Sequence, residues 1–189
     1  MNSDNSTPRI AIMVSIMAMI LLSFSQSAYA CSLEPTIKGG LTVSYPGSID
    51  IAVAVAKARD EGLLPPPNAN GIPNDVQLQQ LLSDLQRLQF RLDKGRREAS
   101  NEVSRTFSFV LVGPSLWSHF HITPGGVLAN YHTNGPLSGK AVVLTHSSVL
   151  RALLSGRMTI DNAEQLGLIR YSGVNTDYIK LAFESGLQS

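Results

Sequence analysis

Three histidines lie on two stretches that flank a turn signal, and imidazole is a common ligand of Zn²⁺ and Cu²⁺. His119 and His121 alternate with apolar residues, which is typical of a strand with one polar face. The segment 123–126, Thr-Pro-Gly-Gly, indicates a hairpin. A turn centred on its two glycines places His119 opposite His132 and predicts a metal site formed by all three imidazoles. The alternative is a polar sheet face whose histidines bind no metal.

Motifs of the common catalytic sites are missing from the sequence. It contains no G-x-S-x-G, no P-loop and no dinucleotide fingerprint. His146 precedes Ser147 and Ser148, but adjacency along the chain does not make a triad, and we expect His146 at the surface where a strand ends. Asp161 and Glu164 have the spacing of a capping pair. We therefore expect a protein that is not an enzyme, with no cofactor unless the histidines bind Zn²⁺ or Cu²⁺.

The N-terminus is typical of an exported protein. Arg9 precedes an apolar run over residues 10–22, and the segment 28–30, Ala-Tyr-Ala, has the small-x-small pattern of a cleavage site. The run is short for a transmembrane helix. Residues 1–30 are therefore predicted to be a signal peptide, and the mature protein is predicted to be periplasmic or anchored to the cell envelope.

Cys31 is the only cysteine, and it would be the first residue of the mature chain. Bacterial lipoproteins carry an acylated cysteine at this position, and Ala30 suits the position before it. Ala28, however, stands where leucine is usual. Acylation would also remove a thiol that is exposed to an oxidising compartment. The sequence leaves a lipid-anchored protein and a soluble exported protein equally open.

Two helices are predicted before the sheet. Residues 31–47 are interpreted as a tether or edge segment, residues 48–61 as a first helix, and residues 74–100 as the longest helix. We interpret the apolar seam of the longest helix as a face that packs on the sheet, because it lasts only about two heptads. The alternative is a dimerising coiled coil in an accessory subunit of an envelope complex. The seam consists of Leu78, Leu81, Leu85, Leu88 and Leu92.

The C-terminal part predicts short strands and helices punctuated by glycine. A strand over 106–112 precedes the histidine hairpin, and another strand begins at Ala141. Ser147 is predicted to cap the helix that follows, and Thr159 or Asp161 to cap a second, shorter one. In the last helix the residues predicted to face inward are Tyr178, Leu181, Ala182 and Phe183.

Residues 141–173 are predicted to form a strand, two helices and a second strand. Their sequence is AVVLTHSSVLRALLSGRMTIDNAEQLGLIRYSG. This stretch contains the patterns "s..vL..LLsGrm" and "A...GLIr.sG". Upstream of it lies FSFVLVGPSLWSHFHI, and an amphipathic helix lies downstream. With these features the chain resembles the sterol-carrier-protein-2 (SCP2-like) family over roughly residues 105–187. This resemblance implies an antiparallel five-stranded sheet with helices on one face. It also implies an apolar cavity that takes up lipids. Residues 33–104 match no pattern of that family.

We predict a single α+β domain over residues 48–189, with an antiparallel sheet of about five strands, helices packed on one face and two extra N-terminal helices. The resemblance implies a non-catalytic protein that binds a lipid or other apolar molecule, and the N-terminal pattern predicts that this protein is exported, although a secretory start departs from the SCP2-like family. A periplasmic metal-binding protein is a further alternative. The formal charge of +1 does not favour nucleic acid as a partner. Expected partners are an apolar small molecule, an envelope protein, and a membrane only through acylation. The candidate cavity residues are Phe107, Phe109, Leu150, Leu153, Leu154, Leu168, Tyr178 and Leu181.

Overall fold

The computed structural model describes residues 45–67, 74–98 and 104–187. All of them belong to a single compact unit. The predicted signal peptide, Cys31 and most of the tether segment lie outside the described residues. Within the described part of the chain, no helix has the length and apolar character that a membrane crossing requires.

Five helices and five strands form the described structure, which confirms the predicted α+β class and the strand number. In chain order they are α1 Ser48–Asp60, α2 Asn74–Glu98, β1 Arg105–Val112, β2 Leu116–Thr123, β3 Gly126–Thr133, β4 Ala141–His146, α3 Ser147–Leu154, α4 Ile160–Gln165, β5 Ile169–Ser172 and α5 Thr176–Leu187.

The sheet has the strand order β3-β2-β1-β4-β5. Three of its four pairings are antiparallel, but β1 and β4 are parallel, so the sheet is mixed rather than wholly antiparallel. Because β3 and β4 point the same way, residues 134–140 must return along the sheet before β4 begins. His119 Nε2 donates to Gly135 O over 2.8 Å, and Leu137 N donates to Ser108 Oγ over 2.9 Å. The returning segment therefore lies over one face of β1 and β2.

Helices lie on both faces of the sheet. On one, named here the helix face, Phe107 and Phe109 contact Phe183 of α5, with ring centroids 6.0 and 6.2 Å apart. Tyr131 shares this face and donates its hydroxyl proton to Gln89 of α2. The arrangement predicted for the helices thus holds for α2 and α5.

Helix α1 lies on the opposite face of the sheet. Its Asp50 pairs with Arg170 of β5, and Gly47 before it approaches Leu144 of β4. Just upstream, the ring of Tyr45 meets Trp117 of β2 edge to face at 5.8 Å. Arg170, Leu144 and Trp117 all alternate with helix-face residues along their strands. The sheet is therefore covered on both sides where β1 and β4 meet.

The leucine seam of α2 packs inside the fold. Leu85, Leu88 and Leu92 have no exposed surface, Leu81 is 7% exposed and Leu78 is partly buried. The interpretation as a helix that packs on the sheet is confirmed. The seam is not free to form a coiled coil with another chain.

The caps of α3 and α4 differ in how well they were predicted. Thr159 caps α4, because its hydroxyl accepts a hydrogen bond from Asn162 N at 3.2 Å. The N-cap of α3 is His146 rather than Ser147, since His146 Nδ1 accepts from Ser148 N at 3.1 Å. The prediction of Ser147 as the cap was wrong because β4 runs straight into the helix and leaves Ser147 already helical.

Candidate functional site

Six of the eight predicted cavity residues lie together in the hydrophobic core. Phe107, Phe109 and Leu168 have no exposed surface, and the three leucines at 150, 153 and 154 are at most 4% exposed. Phe107 also stacks on Phe120, with ring centroids 5.3 Å apart. We call the part of this core between the helix face and helices α2, α3 and α5 the apolar layer.

The prediction that Leu181 lines a cavity was wrong. Leu181 is 44% exposed on α5, and Tyr178 is half-buried. The buried residues of α5 are Ile179, Ala182, Phe183 and Gly186. Contact of Phe183 with the sheet phenylalanines fixes the rotation of the helix and turns Leu181 outward.

Ser118 introduces a polar group into the apolar layer, and the sequence reasoning missed it. It lies opposite Phe109 of β1 and Tyr131 of β3, so it shares the helix face with both. Ser118 has no exposed surface, and its Oγ has no hydrogen-bond partner among the described residues. The signal in the sequence was a serine at a position where the alternation of β2 requires an apolar side chain.

The hairpin register differs from the predicted one by two residues. Its two-residue loop is Pro124-Gly125, so His119 faces Asn130 and His121 faces Leu128. Thr123 fixes this turn, because its Oγ1 accepts from Gly126 N at 3.2 Å and donates to Gly126 O at 2.8 Å. The prediction that His119 faces His132 was therefore wrong.

His132 occupies an irregular position in the hairpin. Its φ is 59°, and the pairing of β2 with β3 shifts beside it between Trp117 and Ser118. His119 and His121 still share one face, where His121 Nδ1 bonds with the Thr106 hydroxyl. Within the described ranges, no three His, Cys, Asp or Glu side chains are arranged to hold a metal ion. Zn²⁺ or Cu²⁺ binding by these histidines stays a prediction.

The prediction of His146 as a surface residue was also wrong, because it is partly buried and caps α3. Burial, together with the nearby charges of Arg59 and Arg151, lowers its pKa to about 4. The Ser148 hydroxyl lies 2.8 Å from His146 Nδ1. Near neutral pH the ring is therefore uncharged, as acceptance of the Ser148 backbone proton requires.

A second polar cluster joins α4, β5 and α5. Lys180 Nζ lies 2.8 Å from Glu164 Oε2 and 5.2 Å from the centre of the Tyr171 ring. Burial is the largest cause of a raised pKa at Tyr171, and the charges of Glu164 and Glu184 add to it. The Tyr171 hydroxyl is therefore un-ionised and remains a hydrogen-bond donor.

Comparisons with known proteins find distant structural likenesses. No protein-family model matches the sequence, and no curated protein sequence does. The stereoselective inverting sec-alkylsulfatase Pisa1 from Pseudomonas sp. matches 53% of this chain and 15% of its own at 18% identity, with a TM-score of 0.39. A double mutant of that sulfatase matches 66% of this chain and 18% of its own at 16% identity, with a TM-score of 0.40. A conserved hypothetical protein from Thermus thermophilus, named as a possible sterol carrier protein, matches 55% of this chain and 76% of its own at 14% identity, with a TM-score of 0.35.

At these identities the likeness concerns the fold alone, and this chain spans less than a fifth of the sulfatase. At a TM-score of 0.35, the likeness to the Thermus protein assigns no ligand to this chain. Membership of the SCP2-like family stays a prediction. The expectation that the protein is not an enzyme is corrected, because two of the similar structures are those of an enzyme. That likeness assigns no activity to this chain.

Proposed function

We propose that this protein binds a lipid or other apolar molecule within the apolar layer. The observation that carries the proposal is the Ser118 hydroxyl, which lies among apolar side chains and has no hydrogen-bond partner in the described part of the chain. The resemblance of residues 105–187 to the SCP2-like pattern supports the same ligand class.

An unpartnered hydroxyl in an apolar interior is costly. Leaving such a group without a hydrogen bond costs about 1–3 kcal/mol, so native structures generally provide a partner or a water molecule. A ligand oxygen placed at Ser118 would supply that bond, and the phenylalanine rings would contact the apolar body of the ligand. Ligand sites commonly combine an apolar lining with a few polar groups that fix orientation.

We propose further that the mature protein acts outside the cytoplasm, in the periplasm or anchored to the envelope. The basis is the signal-peptide pattern of residues 1–30 and the position of Cys31 directly after it. An acyl chain on Cys31 would hold the ligand-binding domain near a membrane that supplies apolar molecules.

The test is titration of the delipidated protein with a fluorescent fatty acid. Leu153→Trp places a large ring in the apolar layer and is expected to abolish saturable binding while far-UV circular dichroism stays unchanged. Leu181→Trp is the matched control, because Leu181 is exposed on α5, and it is expected to bind like the parent protein.

Ser118→Ala is a second, milder variant that removes only the unpartnered hydroxyl. It is expected to retain the fold and to weaken binding of ligands that carry an oxygen. Failure of the well-folded parent protein to bind any apolar probe saturably would overturn the proposal. So would a full core-type loss of about 2–5 kcal/mol for Leu153→Ala together with unchanged binding by Leu153→Trp.

A further inference from the structure

Helix α2 has an outer face that lies opposite its leucine seam. The residues of this face follow one another at helical spacing, whereas the seam packs inside the fold. A shallow groove along the outer face is lined by Ser83, Gln86, Arg87, Phe90 and Arg91. Lys94 is exposed one turn beyond Phe90. These five groove residues and Lys94 are named here the basic face.

The centre of the basic face is an aromatic ring in contact with water. Phe90 is 71% exposed, the largest exposed fraction among the large apolar side chains that the structure describes. Arg87 lies one turn before Phe90 and Lys94 one turn after it, and neither cation forms an ion pair in the described part of the chain. An aromatic side chain bordered by arginine is typical of the residues that dominate binding at protein interfaces.

The charges of the basic face all have one sign. Two carboxylates belong to the same stretch of α2, but both are engaged elsewhere. Asp84 is 8% exposed and pairs with Arg151 of α3. Asp93 pairs with Arg96 and accepts a hydrogen bond from Val127 N of β3. The electrostatic complement of the basic face is therefore a negatively charged surface.

Two occupants fit this face poorly. A symmetric pair of copies of this chain would bring its arginines and lysine against the same cations, and like charges repel. A helix that lies on a membrane needs a continuous apolar stripe. Val76 and Phe90, however, are the only large apolar side chains exposed among the described residues of α2, and they lie about 21 Å apart along the helix. A single aromatic ring with cations beside it suits a protein partner better.

We propose that the basic face binds a segment of another protein that presents carboxylates around an apolar side chain. The apolar side chain packs against the Phe90 ring, and the carboxylates accept hydrogen bonds from Arg87 and Lys94. This inference goes beyond the proposed function, because the basic face lies on the opposite side of α2 from the apolar layer. It also gives a chemistry to the envelope protein that is expected as a partner.

The test is an NMR titration of the isotope-labelled protein with a synthetic helical peptide that carries leucines on one face and glutamates beside them. A second peptide has glutamine in place of every glutamate. We expect the acidic peptide to shift the backbone amide signals of residues 83–94 and to bind about tenfold or more tightly than the glutamine peptide, because several exposed ion pairs are lost together. Added salt should reduce this difference, since it screens exposed charges.

Four variants locate the binding site on the protein. Phe90→Ala is expected to weaken binding of the acidic peptide about tenfold or more, as truncation of a central aromatic side chain does. Arg87→Gln is expected to weaken it about threefold, which is typical of an exposed ion pair. Leu128→Ala and Arg157→Gln are the matched controls, because both residues are exposed but lie outside α2, and both variants should bind like the parent protein.

Each other outcome contradicts the proposal. Absence of saturable binding, equal affinity for the two peptides, or shifts confined to signals outside residues 83–94 would overturn it. If vesicles of phosphatidylcholine and phosphatidylglycerol bind the parent but not Phe90→Ala, and the acidic peptide does not bind, the face contacts a membrane instead. If sedimentation equilibrium shows dimers that Phe90→Ala dissociates, the partner is a second copy. None of these measurements depends on a ligand in the apolar layer, so the proposed function is tested separately.

Discussion

His146 joins two elements through one unprotonated nitrogen. It ends β4, and its Nδ1 accepts the Ser148 backbone proton that would otherwise be unpaired at the start of α3. Protonation of the ring would remove that acceptor and place a third positive charge near Arg59 and Arg151. The stability of the fold is therefore linked to pH at this residue.

We expect the fold to lose stability as the pH falls from about 6.5 towards 4. The folded pKa of about 4 lies below the ordinary value of 6.5, so in this interval only the unfolded chain binds the proton. The contribution of His146 is fully present above pH 6.5, and at most about 3 kcal/mol is lost in acid. Urea unfolding at several pH values measures the loss.

His146→Asn keeps a capping oxygen that does not titrate, so its stability should depend less on pH. His132→Asn is the control, because His132 is exposed in the hairpin and should keep the parent slope. Equal slopes in the parent and His146→Asn would show that another group causes the acid loss.

The residues that could be predicted from the sequence are those that belong to a periodic pattern. Phe107, Phe109 and Leu150 were predicted to be buried, because strand alternation and helix spacing place them inward. The burial of Ser118 and the capping by His146 were not predicted, because each residue occupies a position that its residue type seldom occupies. A serine inside an apolar layer and a histidine as a helix cap become visible only through their neighbours in space.

Helices α2 and α5 cross with their backbones in contact. A Cβ added to Gly95 would lie 2.4 Å from Gly186 N, and one added to Gly186 would lie 2.5 Å from Arg91 O. Real side chains do not approach backbone atoms so closely, and a packed core resists the shift that would relieve the contact. The closeness of the two helices thus depends on two glycines that are far apart in the sequence.

We expect Gly186→Ala to destabilise the fold by about 3 kcal/mol, because the helices must separate to admit the methyl group. Chemical denaturation measures the change in unfolding free energy. Gly125→Ala is the control, since only the Thr123 hydroxyl oxygen, 3.8 Å away, would lie near its added methyl group. A Gly186→Ala protein as stable as the Gly125→Ala protein would contradict the close crossing.

The elements themselves were predicted well, and their mutual placement was not. The leucine seam predicted that one face of α2 is buried, because five leucines at helical spacing form an apolar stripe that must pack against the rest of the fold. The rotation of α5 depended on the contacts of Phe183 and Gly186, and the register of the hairpin depended on the Thr123 hydroxyl. None of these contacts leaves a periodic signal in the sequence.

Edge strand β3 is protected by side chains of α2. Gln89 Nε2 donates to Val127 O over 2.6 Å, and Val127 N donates to Asp93 Oδ1 over 3.2 Å. Arg96 extends this contact to the turn by donating to Pro124 O over 2.6 Å. An exposed strand edge invites pairing with another chain, so these bonds oppose aggregation where β3 begins.

For the whole molecule, we expect the chain in cells to begin at Cys31. The physical reason is that residues 10–22 form an apolar run of signal-peptide length, followed by small residues at 28 and 30. Intact mass and N-terminal peptide analysis of protein from an exporting cell measures the processing. A mass increased by acyl groups identifies a lipoprotein, and Cys31→Ser should then release the protein from membranes. Mature protein that retains residues 10–22 would contradict export with cleavage.

The crossing of α2 and α5 also affects when the protein can finish folding. Helix α2 is made before the sheet, but the helix that packs against it, Thr176–Leu187, is the last element of the described fold. Until the ribosome has released the residues of α5, α2 lacks this partner, and contacts so distant in sequence form slowly. If the protein is exported as proposed, this delay would keep the chain open while it is threaded through a translocation channel, and the fold would close once α5 has followed.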